Sequence, residues 1–384
     1  MRLKMKKIWL SSPHMGGKEQ TFVQEAFEGN WIAPIGPNLN EFEKDICKYT
    51  GANHCVGLTS GTAAIHLALK ILGVDHGDYV LVQSFTFCGS ANPIVYAGAT
   101  PVYIDSENLT WNMCPKALSQ ALEDFDRKGL INKVKAIIPV HLYGMPAKMD
   151  QISFIANKYG IPIVEDAAES IGSSIRNQQT GTFGDLGVFS FNGNKIITTS
   201  GGGGLVSHSK EHIDLARKLS TQAREDAPHY QHEMVGFNYR LSNVSAGIGR
   251  GQMMVLNQRI EQRRSNFERY MRLFERLGIS EKIKVQEERE IRFSNRWLTA
   301  VYFDPVYFFK DTSEKLRIHL DATNIESRPL WKPMHMQPVF KDCLFYGTAV
   351  CEDLFNYGLC LPSGSNLNEE DWLRIENEIT NFFN

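Results

Sequence analysis

Between residues 54 and 164 five strand-like runs alternate with four helical stretches, and this alternation constrains the fold more than any other feature. Short apolar runs at His54–Thr59, Tyr79–Val82, Pro101–Ile104, Val134–Val140 and Ile161–Val164 read as strands. Helical stretches at Ala63–Ile71, Ser90–Ala97, Pro115–Phe125 and Met149–Lys158 lie between them. Runs of four to seven apolar residues suit strands buried on both faces, and each intervening segment is long enough for a crossover helix. Strand–helix alternation of this kind predicts an α/β fold with a mostly parallel central sheet sandwiched by helices. The pattern changes beyond Gly184. Two short runs, Gly187–Phe191 and Gly204–Ser207, flank a glycine-rich turn. A long helical region follows from Asn243 to Leu277, and from about Lys282 short strands (Leu298–Phe303) and helices (Glu369–Phe382) predict a smaller C-terminal α/β domain. The chain therefore divides into a large part, 1–240, and a long helix with a small domain, 241–384.

Composition narrows the class of function. The chain has 384 residues, with 41 Lys plus Arg against 43 Asp plus Glu. A net charge of −2 gives no basic excess for binding nucleic acid through its backbone. No apolar run approaches the roughly 20 residues of a membrane helix, and the start has too little apolar length for a signal peptide. Seven scattered cysteines without a C-x-x-C pair read as thiols in a reducing compartment, hence a cytoplasmic protein with no expected metal site.

Open parallel sheets bind ligands beyond the carboxyl ends of their strands. Three such ends carry chemistry. The first strand runs into Thr59-Ser60-Gly61-Thr62 and directly into a helix, a turn whose free N–H groups and helix dipole suit a phosphate, although capping by Ser60 or Thr62 alone also explains it. The fifth ends in Glu165-Asp166-Ala167-Ala168-Glu169, a carboxylate beside small residues, which a helix-capping Asp would equally produce. Beyond Phe189-Ser190-Phe191 comes Asn192-Gly193-Asn194-Lys195, a lone lysine among β-branched residues and glycines. It is either a surface hairpin lysine or an amine aimed into a cavity, able to form a Schiff base. Together a phosphate cradle, an acid and a lysine are the groups that pyridoxal phosphate requires: the lysine binds its aldehyde and the acid pairs with its ring nitrogen. Phe87, after the second strand, is placed to stack on the ring or to pack in the core.

With these residues in view the chain resembles the DegT/DnrJ/StrS nucleotide-sugar aminotransferases, a branch of the fold-type-I pyridoxal phosphate transferases. The likeness runs through Ser11-Ser12-Pro13-His14-Met15-Gly16-Gly17, Ser60 to Leu69, Ser84-Phe85-Thr86-Phe87, His141-Leu142-Tyr143-Gly144, Glu165 to Glu169, Ser190 to Lys195 and Gly236 to Asn243. The stretches Phe191–Gly203, Ser220–Glu225 and Arg328–His335 resemble the subgroup acting on UDP-linked 4-keto-6-deoxy-N-acetylglucosamine in bacillosamine and exopolysaccharide synthesis (EC 2.6.1.34). The resemblance implies that Lys195 holds the cofactor and shuttles the proton, and that Asp166 pairs with the ring nitrogen. It further implies that Gly61, Thr62 and Ser190 contact the phosphate, with Asn194 nearby and Phe87 stacking. Glu169 would lie near the phenolic oxygen, where relatives carry Gln or His. Asn238 would reach the phosphate of the neighbouring subunit, so a homodimer would be needed for a complete site. For the substrate, Arg328, Trp331, Lys332 and His335 are expected around the pyrophosphate, with Asn295 and Arg296 as further candidates. His14 and Arg240 are expected to brace the structure. The implied reaction is transamination from L-glutamate to the keto sugar. The alternatives are amination at C3, a TDP- or GDP-linked sugar, a deoxygenating relative (which would have His in place of Lys195), and a non-catalytic sensor or scaffold.

Overall fold

The computed structural model describes residues 6–289 and 291–384. The strands are β1 (His54–Leu58), β2 (Tyr79–Gln83), β3 (Thr100–Ile104), β4 (Val134–Ile138), β5 (Val164–Asp166), β6 (Ser174–Ile175), β7 (Gln178–Gln179), β8 (Leu186–Ser190) and β9 (Gly203–Ser207). Toward the C-terminus follow β10 (Ile283–Val285), β11 (Arg292–Phe293), β12 (Thr299–Phe303), β13 (Arg328–Pro329), β14 (Phe345–Tyr346) and β15 (Gly358–Leu361).

The main sheet has the order β14-β3-β2-β4-β5-β8-β9-β1. Two ladders, β14-β3-β2-β4 and β5-β8-β9-β1, join through the parallel pairs Ile137↔Ile163 and Val140↔Asp166. Every neighbouring pair is parallel except those of β9, which runs against both β8 and β1. Parallel strands covered on both faces cannot alternate polar and apolar residues. Accordingly Val80, Leu81 and Val82 are fully buried, as are Ala136, Ile137 and Ile138. The covering helices include Gly61–Ile71, Cys88–Tyr96, Pro115–Arg127, Met149–Tyr159 and Lys210–Ser220.

In the C-terminal part an antiparallel sheet, β10-β12-β15-β13, packs through Leu316, Leu320, Trp372, Ile375 and Ile379 of the helices Thr312–Ala322 and Glu369–Phe383, while β14 joins the main sheet. The long helix expected over 243–277 is in fact two, Asn243–Met253 and Leu256–Arg276. At the break Val255 has ψ of 5°, and the N-terminal segment crosses there. Gln252 Nε2 donates to His14 O at 3.1 Å, and Arg259 donates to His14 O and Met15 O at 3.3 and 3.0 Å. A Cβ on Gly16 would sit 2.9 Å from the Val255 side chain. The crossing chain takes the space a continuous helix would fill.

One buried carboxylate fixes the strand ends around the cavity. Glu165 in β5 accepts from His141 Nε2 (2.8 Å) and from the N–H groups of Gly181, Phe183 and Gly184 (2.9, 2.5 and 2.6 Å). It holds the loop between β7 and β8 against β5, and so sets the direction in which Asp166 and Ser190 leave the sheet.

A candidate active site at the strand ends

A cavity of about 280 Å³ opens at the carboxyl ends of β1, β5 and β8. Its walls bring together Gly61, Thr62, Phe87, Asp166, Glu169, Ser190, Asn194 and Lys195, eight residues separated by as much as 134 positions in the chain.

At one end the helix Gly61–Ile71 begins. Ser60 caps it, its hydroxyl accepting the Ala63 N–H at 3.0 Å, an interaction of about 1 kcal/mol. The Ala64 N–H bonds to Ser60 O at 3.1 Å, which leaves the first-turn N–H groups of Gly61 and Thr62 for an anion. The chain approaches closely here. A Cβ on Gly203 would lie 2.4 Å from Ser60 O, so only glycine lets β9 pass behind the turn.

At the other end stands Asp166, 6 % exposed. Its Oδ2 accepts from Ser90 Oγ at 2.6 Å and its Oδ1 from the Ala168 N–H at 3.1 Å. Ser90 Oγ is in turn 2.7 Å from Thr86 Oγ1, forming a buried chain of hydroxyls that ends on the carboxylate. Ser90 carries no signal in the sequence, since it is not a charged or titratable type, and Thr86 is marked there only as part of Ser84-Phe85-Thr86-Phe87.

Lys195 Nζ lies 3.2 Å from Glu169 Oε1 and 4.2 Å from the centroid of the Trp297 ring. Glu169 Oε2 accepts the Tyr143 N–H at 2.7 Å. Burial pushes the Glu169 carboxyl above its usual range and Asp166 adds to this, while Lys195 and the Tyr143 N–H pull the other way. The ammonium thus rests between an aromatic face and a carboxylate of raised proton affinity. Trp297 is fastened by its Nε1–H to Asn194 O at 2.9 Å, and Ser11 Oγ donates to the same oxygen at 2.7 Å. Behind Trp297, Arg263 is 1 % exposed and donates to Trp297 O, Ser363 O and Ser11 Oγ. Burial, and Arg259 beside it, lower its guanidinium to about 9.

Through Thr86, Phe87, Asn194 and Trp331 this cavity shares a wall with a second of about 650 Å³, which Arg328, Lys332, Glu326, Tyr143 and Ser11 also line. Arg328 is paired with Glu326 at 2.7 Å. Phe87 and Trp331 meet at 5.4 Å between ring centroids, and the buried Trp331 Nε1 has no partner among the described residues.

Three residues expected at the substrate line neither cavity. Asn295 is fully buried. Its Nδ2 donates to Glu169 O and Ile171 O (3.0 and 2.9 Å), and its Oδ1 accepts the Trp297 N–H (2.9 Å). Arg296 donates to Gln286 O and Glu288, and stacks 3.9 Å from the Phe267 ring. His335 is held between Ser84 Oγ (2.7 Å) and Glu352 (3.2 Å) over the Phe345 ring. All three make their hydrogen bonds to protein partners, although Arg296 Nε has none among the described residues. Asn238 is exposed and also lies outside both cavities of its own chain.

The residues present fit pyridoxal phosphate. Free first-turn N–H groups and Ser190 suit the phosphate, Asp166 the ring nitrogen, Phe87 and Ala168 the two ring faces, and Lys195 the aldehyde.

Residues 13–380 match the DegT/DnrJ/EryC1/StrS aminotransferase family. The chain is 50 % identical over 382 residues to EpsN of Bacillus subtilis (strain 168), named as a pyridoxal phosphate-dependent aminotransferase, covering 98 % of this chain and 96 % of that one. It is 34 % identical to GDP-perosamine synthase of Escherichia coli O157:H7, with 99 % of each covered. Among solved structures, Spr1654 of Streptococcus pneumoniae, named as a sugar aminotransferase and solved in its pyridoxal phosphate form, superposes with a TM-score of 0.88 at 25 % identity, over 98 % of this chain and 99 % of the other. Its fold, its cofactor and its class of reaction thus agree, and the chain belongs to the DegT/DnrJ/EryC1/StrS family as a pyridoxal phosphate-dependent sugar aminotransferase.

Proposed function

We propose that the enzyme transfers the amino group of L-glutamate to C4 of a UDP-linked 4-keto-6-deoxy-N-acetylhexosamine, the reaction of EC 2.6.1.34, in the cytoplasm and for bacterial glycan or exopolysaccharide synthesis. The observation that carries this reading is the Lys195–Glu169 pair at the floor of a small cavity that opens, across Phe87 and Trp331, into a 650 Å³ cavity with Arg328 and Lys332 on its wall. That volume accommodates a nucleotide sugar. The two cations suit a pyrophosphate, and the unpartnered Trp331 N–H suits a sugar or phosphate oxygen.

When bound, pyridoxal phosphate supplies the electron sink for the bond broken at the substrate carbon. The protein supplies position and protons. Gly61, Thr62 and Ser190 hold the phosphate, and Asp166 holds a proton on the ring nitrogen. Lys195 Nζ moves the proton to and from the reacting carbon. Glu169 Oε1, close to Nζ and raised in proton affinity by burial, can take the proton that Nζ must lose to act as a base. Asn238, exposed on its own chain, completes the phosphate site of a second subunit in a homodimer.

A GDP-linked 4-keto sugar is the second reading, favoured by the likeness to GDP-perosamine synthase. One experiment separates them. Enzyme charged with L-glutamate and freed of excess donor is given UDP-, TDP- and GDP-linked keto sugars, with the ketone at C3 or C4, and the return of visible absorbance is followed. The reading requires the UDP-linked 4-ketone to restore colour fastest. Preference for a GDP-linked sugar or a 3-ketone overturns it.

A further inference from the structure

The motif His141-Leu142-Tyr143-Gly144 lines no part of the small cavity, although the His141 N–H donates to Asp166 O at 3.1 Å, and it is held by many hydrogen bonds. His141 is fixed at both ring nitrogens, Nδ1 accepting the Ala147 N–H at 3.0 Å and Nε2 meeting Glu165 at 2.8 Å. Asn112 Oδ1 accepts the Leu142 N–H at 2.9 Å, and Gln286 Nε2 donates to Leu142 O at 3.0 Å. Ser173 and Ser294 both donate to Gly144 O, at 2.7 and 3.0 Å. All of this support surrounds a strained residue. Tyr143 has φ of 56°, a left-handed conformation that is an outlier for a bulky side chain and costs of order 1–3 kcal/mol.

The strained conformation places two polar groups of one residue on two different parts of the site. The Tyr143 N–H donates to Glu169 Oε2 at 2.7 Å, on the far side of that carboxylate from Lys195. The Tyr143 hydroxyl accepts the main-chain N–H of Trp331 at 2.9 Å, and the two rings lie near-parallel with centroids 6.2 Å apart. Trp331 stands in the middle of the segment 328–334, which is otherwise anchored at its ends. Arg328 and Pro329 pair with β15, and the Met334 N–H bonds to Ser84 O at 2.8 Å. Tyr143 is 1 % exposed, so water does not readily replace its hydroxyl.

We propose that Tyr143 is a positioning residue whose main chain orients Glu169 toward Lys195 while its hydroxyl holds the Trp331 segment as the shared wall of the two cavities. The second half of this proposal rests on the large cavity being the sugar-nucleotide site.

Because one contact is main-chain and the other side-chain, Tyr143→Phe separates them. It keeps the N–H on Glu169 and removes the acceptor of the Trp331 N–H, together with the hydroxyl's hydrogen bond to the Cys360 thiol. With pyridoxal phosphate bound, the variant is expected to bleach with L-glutamate at a rate within twofold of the wild type, while KM for the keto-sugar nucleotide rises about tenfold with kcat little changed, the scale of one lost hydrogen bond. Independently of turnover, amide hydrogen exchange of the peptide spanning 328–334 in the cofactor-free protein is expected to quicken about tenfold. Unchanged exchange there refutes the anchoring. Quickened exchange with an unchanged KM refutes the positioning role, as does an equal loss in both half-reactions, which would mark Tyr143 as merely structural. If the wild type prefers a different sugar nucleotide, the substrate reading fails, and the exchange result together with KM for that sugar still decides the role of Tyr143.

Discussion

Ser90→Ala tests whether the buried hydroxyl chain prepares Asp166 for the cofactor. The Ser90 hydroxyl donates to Asp166 Oδ2 at 2.6 Å, and the only other donor to that carboxylate among the described residues is the Ala168 N–H at 3.1 Å. A hydrogen bond to a charged group contributes about 1.5–3 kcal/mol net. The cavity left by one hydroxyl beside Thr86 is polar and can admit a water, which recovers part of the loss. We therefore take the lower end, about 1.5 kcal/mol, for the cost of leaving the carboxylate free to turn away from the ring nitrogen. At 1.4 kcal/mol per decade this is a tenfold weaker affinity for pyridoxal phosphate. The assay is titration of the cofactor-free protein with pyridoxal phosphate, followed by visible absorbance, with thermal melting alongside. An affinity within twofold of the wild type would refute the argument that Ser90 orients Asp166. A large loss of stability without loss of affinity would show instead that Ser90 serves only the fold.

Other consequences follow from the same geometry. On the proposed homodimer in which Asn238 completes the partner's site, mixing Lys195→Ala with Asn238→Ala subunits in equal amounts after each alone has proved inactive should restore about a quarter of the wild-type sites, since half the dimers would be mixed and each would have one intact site; no recovery would argue that the site is complete within one chain. Asn295→Ala should destabilise the protein by about 3 kcal/mol, because Glu169 O, Ile171 O and the Trp297 N–H lose buried partners. Its preference among sugar nucleotides should not change, whereas altered preference with normal stability would restore Asn295 as a substrate ligand. His66 is 6 % exposed, and burial, with Lys70, holds its imidazole below the usual value of 6.5. The unfolded chain therefore takes up this proton first, and stability falls as pH drops below about 6.5. The loss of melting temperature between pH 7 and pH 5 should be smaller in His66→Gln than in the wild type; an equal loss would place the acid sensitivity elsewhere.

The strands were legible because burial on both faces writes a continuous apolar run. Asp166 and Lys195 stood out only in combination with the phosphate turn, since a capping aspartate or a hairpin lysine explains each of them alone. The rest was hidden for definite reasons. Ser90 reaches Asp166 across 76 positions and Lys195 rests on Trp297 across 102, and nothing local marks a serine or a tryptophan for such a contact. Asn295, Arg296 and His335 were expected at the substrate because amide, guanidinium and imidazole groups bind ligands well. The same donors and acceptors serve equally to join buried loops, and only the partners distinguish the two uses. The break at Val255 depends on the N-terminal segment crossing there, some 240 positions away in the chain, which helical periodicity does not register.

The most direct test of the central claim is the visible spectrum of the purified protein with pyridoxal phosphate bound, recorded before and after L-glutamate, with Lys195→Ala in parallel. The account predicts a yellow wild-type protein whose band gives way to one in the near ultraviolet, and a variant that does not make this change. A wild-type protein that never takes on colour with added pyridoxal phosphate, or a Lys195→Ala variant that bleaches as the wild type does, would contradict it.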